Sequence, residues 1–267
     1  MDKVIFSPLR YAGGKRWLFK TLLPYIPEGT KEMISPFFGG GAIELNLALR
    51  GVKVYGYDIF EPLVNFWQHY LSDPLALVEH AKTLMKGKDK SYFRYIQRGG
   101  FAELSDNFDR AGVYFLINRM SYNGSTLAPK GGMKPNYTEC LGKSILDTIS
   151  KLNIPNLEVE RKSVFDLLST NQSVFAYLDP PYPTSDDRLY GNSREHHEGF
   201  DHKALFEMLD NRDNWVLSYS DVPLIRLLYK DYQKIELIRK SGMINCKNKK
   251  ELLITSPDIA HKQLTLF

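Results

Sequence analysis

Short apolar segments of strand character recur along this chain, and at both ends they alternate with segments of helical spacing. The 267-residue sequence has such strand-like segments at residues 33–38, 53–58, 157–162, 174–178, 215–219 and 252–255. Helical spacing is found at residues 39–50, 202–209 and 222–229. Alternation of this kind favours a largely parallel sheet with helices on both faces. The sequence therefore predicts an α/β fold.

The pattern changes in the middle of the chain, between residues 66 and 150. Helical stretches dominate there, and a loop rich in Gly, Pro, Ser and Asn covers residues 123–138 with the character of a hairpin. We therefore predict two parts: a discontinuous α/β domain, residues 1–65 and 151–267, and an inserted, mainly helical subdomain, residues 66–150.

Composition sets the broad class of the protein. Hydrophobic residues make up 43% of the chain, which allows a sizeable core, and no apolar run approaches the roughly 18 residues that a membrane span needs. The N-terminus lacks the pattern of a signal peptide, and Cys140 and Cys246 are too far apart for a metal-ligand motif. His196 and His197 lack a third ligand in motif spacing. We expect a cytoplasmic protein without a metal site, and a net charge of +4 permits a nucleic-acid partner.

Residues 174–182 place an acid, two prolines and an aromatic ring directly after a predicted strand. This string suits methylation of an amino group on a planar base, whose lone pair is delocalised into the ring. Asp179 can accept one N–H of such an amine and the carbonyl of Pro180 the other, which turns the lone pair toward an incoming methyl group. Pro181 completes the turn, and Tyr182 offers a ring on which an extracted base can stack. A strand end followed by a Pro-Pro loop and a buried tyrosine is the structural alternative.

A glycine-rich turn joins the first predicted strand to its helix. It contains Phe38, Gly39, Gly40 and Gly41. Glycines in such a turn let a ligand approach the backbone closely, and an acid at the tip of the next strand, here Asp58, can accept hydrogen bonds from ribose hydroxyls. Glu44 stands where a dinucleotide fingerprint would need a third glycine. The combination indicates a nucleoside cofactor.

These motifs and their order resemble the Dam-like (D12) class of adenine-N6 DNA methyltransferases over nearly the whole chain. The segments that carry the resemblance are residues 10–15, 36–46, 57–59, 115–124, 179–182, 199–202, 216–220 and 250–254. Tyr11 stands where many members carry Trp, and Tyr122 where Phe is usual. The resemblance implies a Rossmann-like methyltransferase fold in which residues 1–65 and 151–267 form the catalytic and cofactor-binding domain and the inserted subdomain recognises the DNA target.

The resemblance also implies site residues. S-adenosyl-L-methionine would be bound by Tyr11, Lys15, Phe38, Gly39, Gly40, Gly41, Asp58, Ile59 and Asp179. Phe165 and Asp166 are candidates for stacking on the cofactor's adenine and for accepting from its amino group. Asp166 as the N-cap of the next helix is the alternative.

DNA contacts are expected mainly from the middle of the chain. The candidates are Arg10, Arg119, Asn123 and Lys134, since arginine pairs bidentately with guanine or phosphate. Lys82, Lys86, Lys88, Lys90, Arg94 and Arg98 form a basic stretch with interleaved aromatic residues. This stretch is either a phosphate-contacting surface or an ordinary solvated helix face.

The resulting hypothesis is methyl transfer to adenine N6 in a specific short sequence of double-stranded DNA, after base flipping, by a protein that we expect to be a monomer without membrane association. Amino methylation of cytosine N4, RNA adenine or a protein amide remains an alternative, as does a non-enzymatic DNA-binding module. Cytosine-C5 methylation is excluded, because the chain contains no Pro-Cys pair to supply the cysteine nucleophile.

Overall fold

The structure is a computed structural model that describes residues 4–11, 13–122, 124–128, 131–134, 140–142, 149, 152–169, 173–183, 200–239 and 249–259. The fold is mixed α/β with a seven-stranded sheet, as the sequence predicts. The strands are β1 (Glu32–Ser35), β2 (Lys53–Asp58), β3 (Leu157–Arg161), β4 (Phe175–Leu178), β5 (Trp215–Ser220), β6 (Gln233–Arg239) and β7 (Lys249–Thr255).

The described residues form nine α-helices. They are α1 (Phe19–Leu22), α2 (Glu44–Ala48), α3 (Glu61–Ser72), α4 (Pro74–Met85), α5 (Lys90–Gln97), α6 (Asn107–Met120), α7 (Val164–Leu168), α8 (His202–Asp210) and α9 (Pro223–Leu228). Several begin at an acid that accepts a hydrogen bond from the first turn, as Asp73 does from Ala76 at 2.9 Å and Asp106 from Asp109 at 2.8 Å.

The chain divides into two compact units. The first consists of Met1–Phe19 and Phe38–Arg161, and the second of Lys20–Phe37 and Lys162–Phe267. Because α3 to α6 share the first unit with β2 and β3, the described helices of residues 66–150 are packed with part of the sheet. The division into a catalytic domain and an inserted recognition subdomain stays a prediction.

In the first unit β2 and β3 are parallel neighbours, with Val54 opposite Leu157 and Asp58 opposite Arg161. Helix α3 packs against β3, and α6 packs against α3 and α4. Buried aromatic rings fill these interfaces; Phe66, for example, stacks on Phe115 with ring centroids 5.5 Å apart. These packed helices hold the end of α6. We call the described residues that follow it, 121, 122, 124–128 and 131–134, the 121–134 loop.

In the second unit the strand order is β1-β4-β5-β7-β6. Strands β1, β4 and β5 are parallel, and β7 is antiparallel to both of its neighbours. All four residues of β4 are buried, as expected for a strand inside a parallel sheet. This arrangement brings the ends of β4 and β5 together.

The predicted strands are confirmed within one to three residues at their ends, but β6 was missed. The helix predicted over residues 39–50 is shorter, because Gly39 and Gly41 adopt φ values of +50° and +63°. Such left-handed conformations belong to a turn and delay the start of the helix. The hairpin expected over residues 123–138 stays a prediction, because residues 123, 129, 130 and 135–138 lie outside the described residues; the described ones contain an isolated antiparallel bridge between Ser121 and Met133.

Candidate active site

In the second unit, Asp179 directly follows β4 and is held by a serine on the neighbouring strand. Leu178 lies opposite Leu217 in the parallel pair of β4 and β5. The residues that follow them, Asp179 and Ser218, are therefore neighbours. The Ser218 hydroxyl donates a hydrogen bond of 2.8 Å to Oδ1 of Asp179, and the phenol of Tyr177 lies 3.2 Å from the same hydroxyl. Ser218 is completely buried. The carboxylate is therefore oriented by a buried polar contact that the sheet register itself provides.

Tyr182, the aromatic residue of the same segment, is also held in place by a hydrogen bond of its phenol. The phenol of Tyr182 donates a hydrogen bond of 3.1 Å to Oε2 of Glu251, which lies buried on β7. Burial raises the pKa of Tyr182 well above its ordinary value, and the charges of Asp179 and Glu251 raise it further. Tyr182 therefore stays protonated and can keep donating. Pro180 is buried and Pro181 half-buried between these two anchored residues.

Phe165 and Asp166, the candidates for the cofactor's adenine, lie on α7. The ring of Phe165 stacks on that of Phe200, with centroids 5.9 Å apart and planes 26° apart. Asp166 is exposed in the first turn of the helix, and the N-cap is Ser163, whose side chain accepts from the Phe165 N–H. The N-cap alternative for Asp166 is thus wrong, while its contact with a cofactor stays a prediction.

In the first unit, the glycine turn of residues 38–41 is tied to the acid at the tip of β2. Oδ2 of Asp58 accepts the Gly39 N–H at 3.0 Å, and Oδ1 accepts the Phe60 N–H at 3.0 Å. A carboxylate can accept several hydrogen bonds, which suits Asp58 to a ribose hydroxyl in addition to the glycine turn. The structure thus brings Asp58 and the glycine turn together as the sequence suggested.

The glycine turn is covered by Tyr11. A Cβ atom added at Gly39 would lie 2.8 Å from the Tyr11 ring, and one added at Gly40 would lie 2.7 Å from the Tyr11 Cβ. Only glycine permits this approach of ring and backbone. Phe38 instead faces inward, because its ring is buried and meets Trp67 edge-on at 5.1 Å.

Lys15 and Ile59 have opposite environments. Lys15 is buried and its ammonium donates to the Gly13 carbonyl at 3.2 Å. Ile59 is 47% exposed, immediately after Asp58. Their contacts with a cofactor stay predictions.

The predicted DNA contacts have mixed environments, and Asn123 lies outside the described residues. Arg119 is buried, and its guanidinium donates to the carbonyls of Cys140 at 3.2 Å and Pro8 at 3.5 Å. Burial, and to a smaller extent the nearby charge of Arg10, lowers the pKa of Arg119 to about 10. The ammonium of Lys134 donates to the Arg119 carbonyl at 3.0 Å, at the end of α6. These contacts favour structural roles for Arg119 and Lys134.

The basic stretch around α5 is partly a solvated face. Asp89 caps this helix, Lys90 and Arg98 are exposed, and Phe93 is buried. Arg94 donates to the Gly131 carbonyl at 2.9 Å and so supports the 121–134 loop. Contact of this face with phosphate stays a prediction.

Ser218 and Glu251 belong to strings that the sequence interpretation singled out without giving these two residues roles. A signal for Ser218 was present: it is a polar residue inside an otherwise apolar predicted strand. Asn118, which is completely buried near the end of α6, was also given no individual role. Its amide contacts both Arg10 and Thr126.

Two features are absent from the described part of the chain. It contains no cluster of three or more His, Cys, Asp or Glu side chains arranged to hold a metal ion. None of its helices combines the length and hydropathy that a membrane-spanning helix needs.

Comparison with known proteins gives a consistent family. A family model described as D12 class N6 adenine-specific DNA methyltransferase matches residues 11–243. Type II methyltransferase M1.LlaDCHI of Lactococcus lactis subsp. cremoris is 27% identical, over 96% of this chain and 97% of that protein. The DNA N-6-adenine-methyltransferase of Escherichia phage P1 is 24% identical over 90% of this chain, which spans only 33% of the phage protein.

Among solved structures, precorrin-6y C5,15-methyltransferase from Geobacter metallireducens matches 89% of this chain and 85% of its own, with a TM-score of 0.33 and 7% identity. Precorrin 8W decarboxylase from Methanobacterium thermoautotrophicum aligns with 92% of this chain over 90% of its own length, with a TM-score of 0.38 and 10% identity. Likeness at this level carries no inference about function.

Proposed function

The chain belongs to the D12 class N6 adenine-specific DNA methyltransferase family, and we propose that it transfers a methyl group from S-adenosyl-L-methionine to adenine N6 within a short sequence of duplex DNA, after base flipping. That it is an adenine-specific DNA methyltransferase follows from the family and from the named relatives. The proposal concerns the donor, the extraction of the base and the residues that carry the reaction.

The observation that carries the proposal is the oriented carboxylate of Asp179 at the end of β4, three residues before the anchored ring of Tyr182. Asp179 would accept one N–H of the adenine amine and the Pro180 carbonyl the other. The amine nitrogen then becomes pyramidal, with its lone pair available for bonding. The bound donor supplies an electrophilic methyl group. Attack of the amine nitrogen would form the nitrogen–carbon bond while the donor's sulfur keeps the electrons of the broken carbon–sulfur bond as a neutral thioether, and the surplus amine proton would be released to solvent.

The residues of the first unit fit a nucleoside donor. Asp58 fixes the glycine turn through the Gly39 N–H and would also accept hydrogen bonds from ribose hydroxyls. The positive φ values of Gly39 and Gly41 create a turn whose backbone a ligand can approach closely. Tyr11 covers that turn with its ring.

The proposal extends to the setting of the enzyme. We propose a monomer that acts on duplex DNA in the cytoplasm; the family and the phage relative support the DNA substrate, and the buried free thiol of Cys140 suits a reducing compartment. A reducing compartment is where such thiols are usually found.

The experiment combines purified protein, labelled S-adenosyl-L-methionine and plasmid DNA from a host without methylation, followed by mass spectrometry of the nucleosides. N6-methyladenine carrying the label is the expected product. Labelled N4-methylcytosine, or label transferred to RNA or protein but not to DNA, would replace the proposal by one of the alternative amino methylations. Absence of transfer from this donor would refute the proposed cofactor.

A further inference from the structure

The side chain of Asn118 holds the backbone of Arg10 through two hydrogen bonds within the first unit, and we call this pair of bonds the clamp. The Asn118 amide oxygen accepts the backbone N–H of Arg10 at 2.9 Å, and its amide nitrogen donates to the backbone carbonyl of the same residue at 2.8 Å. A neighbouring β-strand would form the same pair of hydrogen bonds with the backbone N–H and carbonyl of a residue. The second N–H of the amide donates to Oγ1 of Thr126 at 2.9 Å. One buried side chain thus joins residues 8–11 to the 121–134 loop.

The loop also touches this N-terminal segment directly. Gly124 has φ of +72°, and a Cβ atom added there would lie 1.8 Å from the Arg10 carbonyl oxygen. Thr126 has φ of +31°, which is a strained conformation for a β-branched residue. It is held by hydrogen bonds from its N–H to the Ser121 hydroxyl at 3.3 Å and from the Gln97 amide to its carbonyl at 2.9 Å. A strained residue held by its surroundings is suited to switching between two arrangements.

At its other end, the N-terminal segment reaches the glycine turn. Tyr11 follows the clamped Arg10, and its side chain lies against Gly39 and Gly40. The Gly39 N–H is bonded to Asp58. A displacement of the Arg10 backbone therefore moves the ring that covers the turn.

A second connection runs through Tyr114, which is buried on α6. Burial raises the pKa of Tyr114, the charge of Asp58 raises it further, and a hydrogen bond with Thr126 lowers it. The phenol thus lies within electrostatic reach of both the proposed ribose acceptor and the loop. Both connections lie entirely within the first unit.

From these contacts we infer that Asn118 is a positioning residue that makes binding of the methyl donor depend on the conformation of the 121–134 loop. DNA that engages the loop changes the position of residues 8–11, and the donor affinity changes with it. The coupling is reciprocal, so that bound donor changes DNA affinity by the same factor. This inference rests on the proposed use of S-adenosyl-L-methionine.

The test compares the dissociation constant of S-adenosylhomocysteine, the unreactive product of the donor, with and without a duplex carrying the methylation site mapped in plasmid DNA. For the wild type, the dissociation constants with and without DNA should differ by a factor of about five or more, and this factor is the ratio compared among variants. Thr126→Val keeps the shape of the side chain but removes the hydroxyl that Asn118 contacts. It should bring the ratio to about 1, while donor affinity without DNA stays within about twofold. Thr126→Ser restores a hydroxyl and should restore the ratio.

Ser125→Ala is the matched control, because the Ser125 hydroxyl is buried in the same loop and has no hydrogen-bond partner among the described residues. It should keep the wild-type ratio. Asn118→Ala should lower donor affinity even without DNA, because it releases the Arg10 backbone. If this variant does not fold, Thr126→Val carries the test alone.

A folded Thr126→Val variant with the wild-type ratio would overturn the inference, as would a wild type that binds donor equally with and without DNA. Failure of the wild type to bind S-adenosylhomocysteine would instead count against the proposed donor. Amide hydrogen exchange then tests whether the Asn118 contacts transmit the effect of DNA to the glycine turn. DNA should alter the exchange of residues 38–46 in the wild type but not in Thr126→Val, and equal responses in the two proteins would refute the coupling.

Discussion

Ser218 donates its hydroxyl hydrogen to Asp179 across two adjacent parallel strands, at 2.8 Å. The bond fixes one oxygen of the carboxylate at the point where β4 ends. A catalytic acceptor must meet the amine N–H in a defined direction, and pre-oriented groups act without reorganising during the reaction. Ser218 is therefore expected to contribute to turnover, although it need not touch the adenine.

Ser218→Ala should lower methyl transfer through loss of a hydrogen bond to a charged group. Such bonds contribute roughly 1.5–3 kcal/mol, which corresponds to about a 10- to 150-fold decrease in kcat. Ser220→Ala is the matched control, because the Ser220 hydroxyl on the same strand is buried and has no hydrogen-bond partner among the described residues. Steady-state kinetics with both variants checks the prediction. Equal rates for Ser218→Ala and wild type would remove Ser218 from the mechanism.

Tyr182→Ala should hold the extracted base poorly, since an aromatic platform contributes roughly 1–3 kcal/mol per stacked base. With 2-aminopurine at the target position, fluorescence should rise on binding of the wild type and rise less with this variant. Tyr182→Phe keeps the ring and loses the polar contacts of the phenol, among them the bond to Glu251, so that it should retain most of the fluorescence gain. A full rise with Tyr182→Ala would show that the ring does not support the flipped base.

Asp58→Ala should weaken binding of S-adenosyl-L-methionine. The substitution removes both the proposed ribose acceptor and the bond that fixes the Gly39 N–H. A loss of roughly 1.5–3 kcal/mol is expected, or about a 10- to 150-fold increase in Kd measured by calorimetry. Glu158→Gln, at an exposed ion pair with Lys53, is the control and should bind normally. Unchanged affinity in a folded Asp58→Ala variant would refute the assignment.

Arg119→Ala should reduce stability rather than discrimination between DNA sites. The buried guanidinium donates to two backbone carbonyls, and leaving a buried acceptor without its donor costs roughly 1–3 kcal/mol. Denaturant unfolding of the wild type and the variant measures this difference. Normal stability together with relaxed sequence preference would instead identify Arg119 as a base-reading residue, as the motif resemblance suggested.

The sequence predicted the sheet well where strands are apolar and buried. Each predicted strand exists, because segments such as β4 have to be hydrophobic on both faces of a parallel sheet. Strand β6 was missed because the predicted strands are short apolar runs, whereas Ile235 and Leu237 alternate with Lys234 and Glu236. That pattern is the ordinary composition of a strand at the edge of a sheet.

Individual side-chain environments were harder to predict than motifs. Asp58 and the glycine turn were paired correctly, since strand order alone brings them together. Arg119 and Lys134 were interpreted as DNA contacts, but Arg119 donates to the backbone carbonyls of Cys140 and Pro8, and Lys134 donates to that of Arg119. Sequence spacing does not show which carbonyls a fold leaves without partners, and those groups determine where a buried cation lies.

The most direct test of the central claim is sequencing of modified bases in plasmid DNA from cells that produce either the wild type or Asp179→Ala. The account predicts N6-methyladenine at one short recurring sequence with the wild type and unmodified DNA with the variant, although the variant is folded and still binds DNA. N6-methyladenine at wild-type levels with Asp179→Ala would contradict the proposed role of the carboxylate.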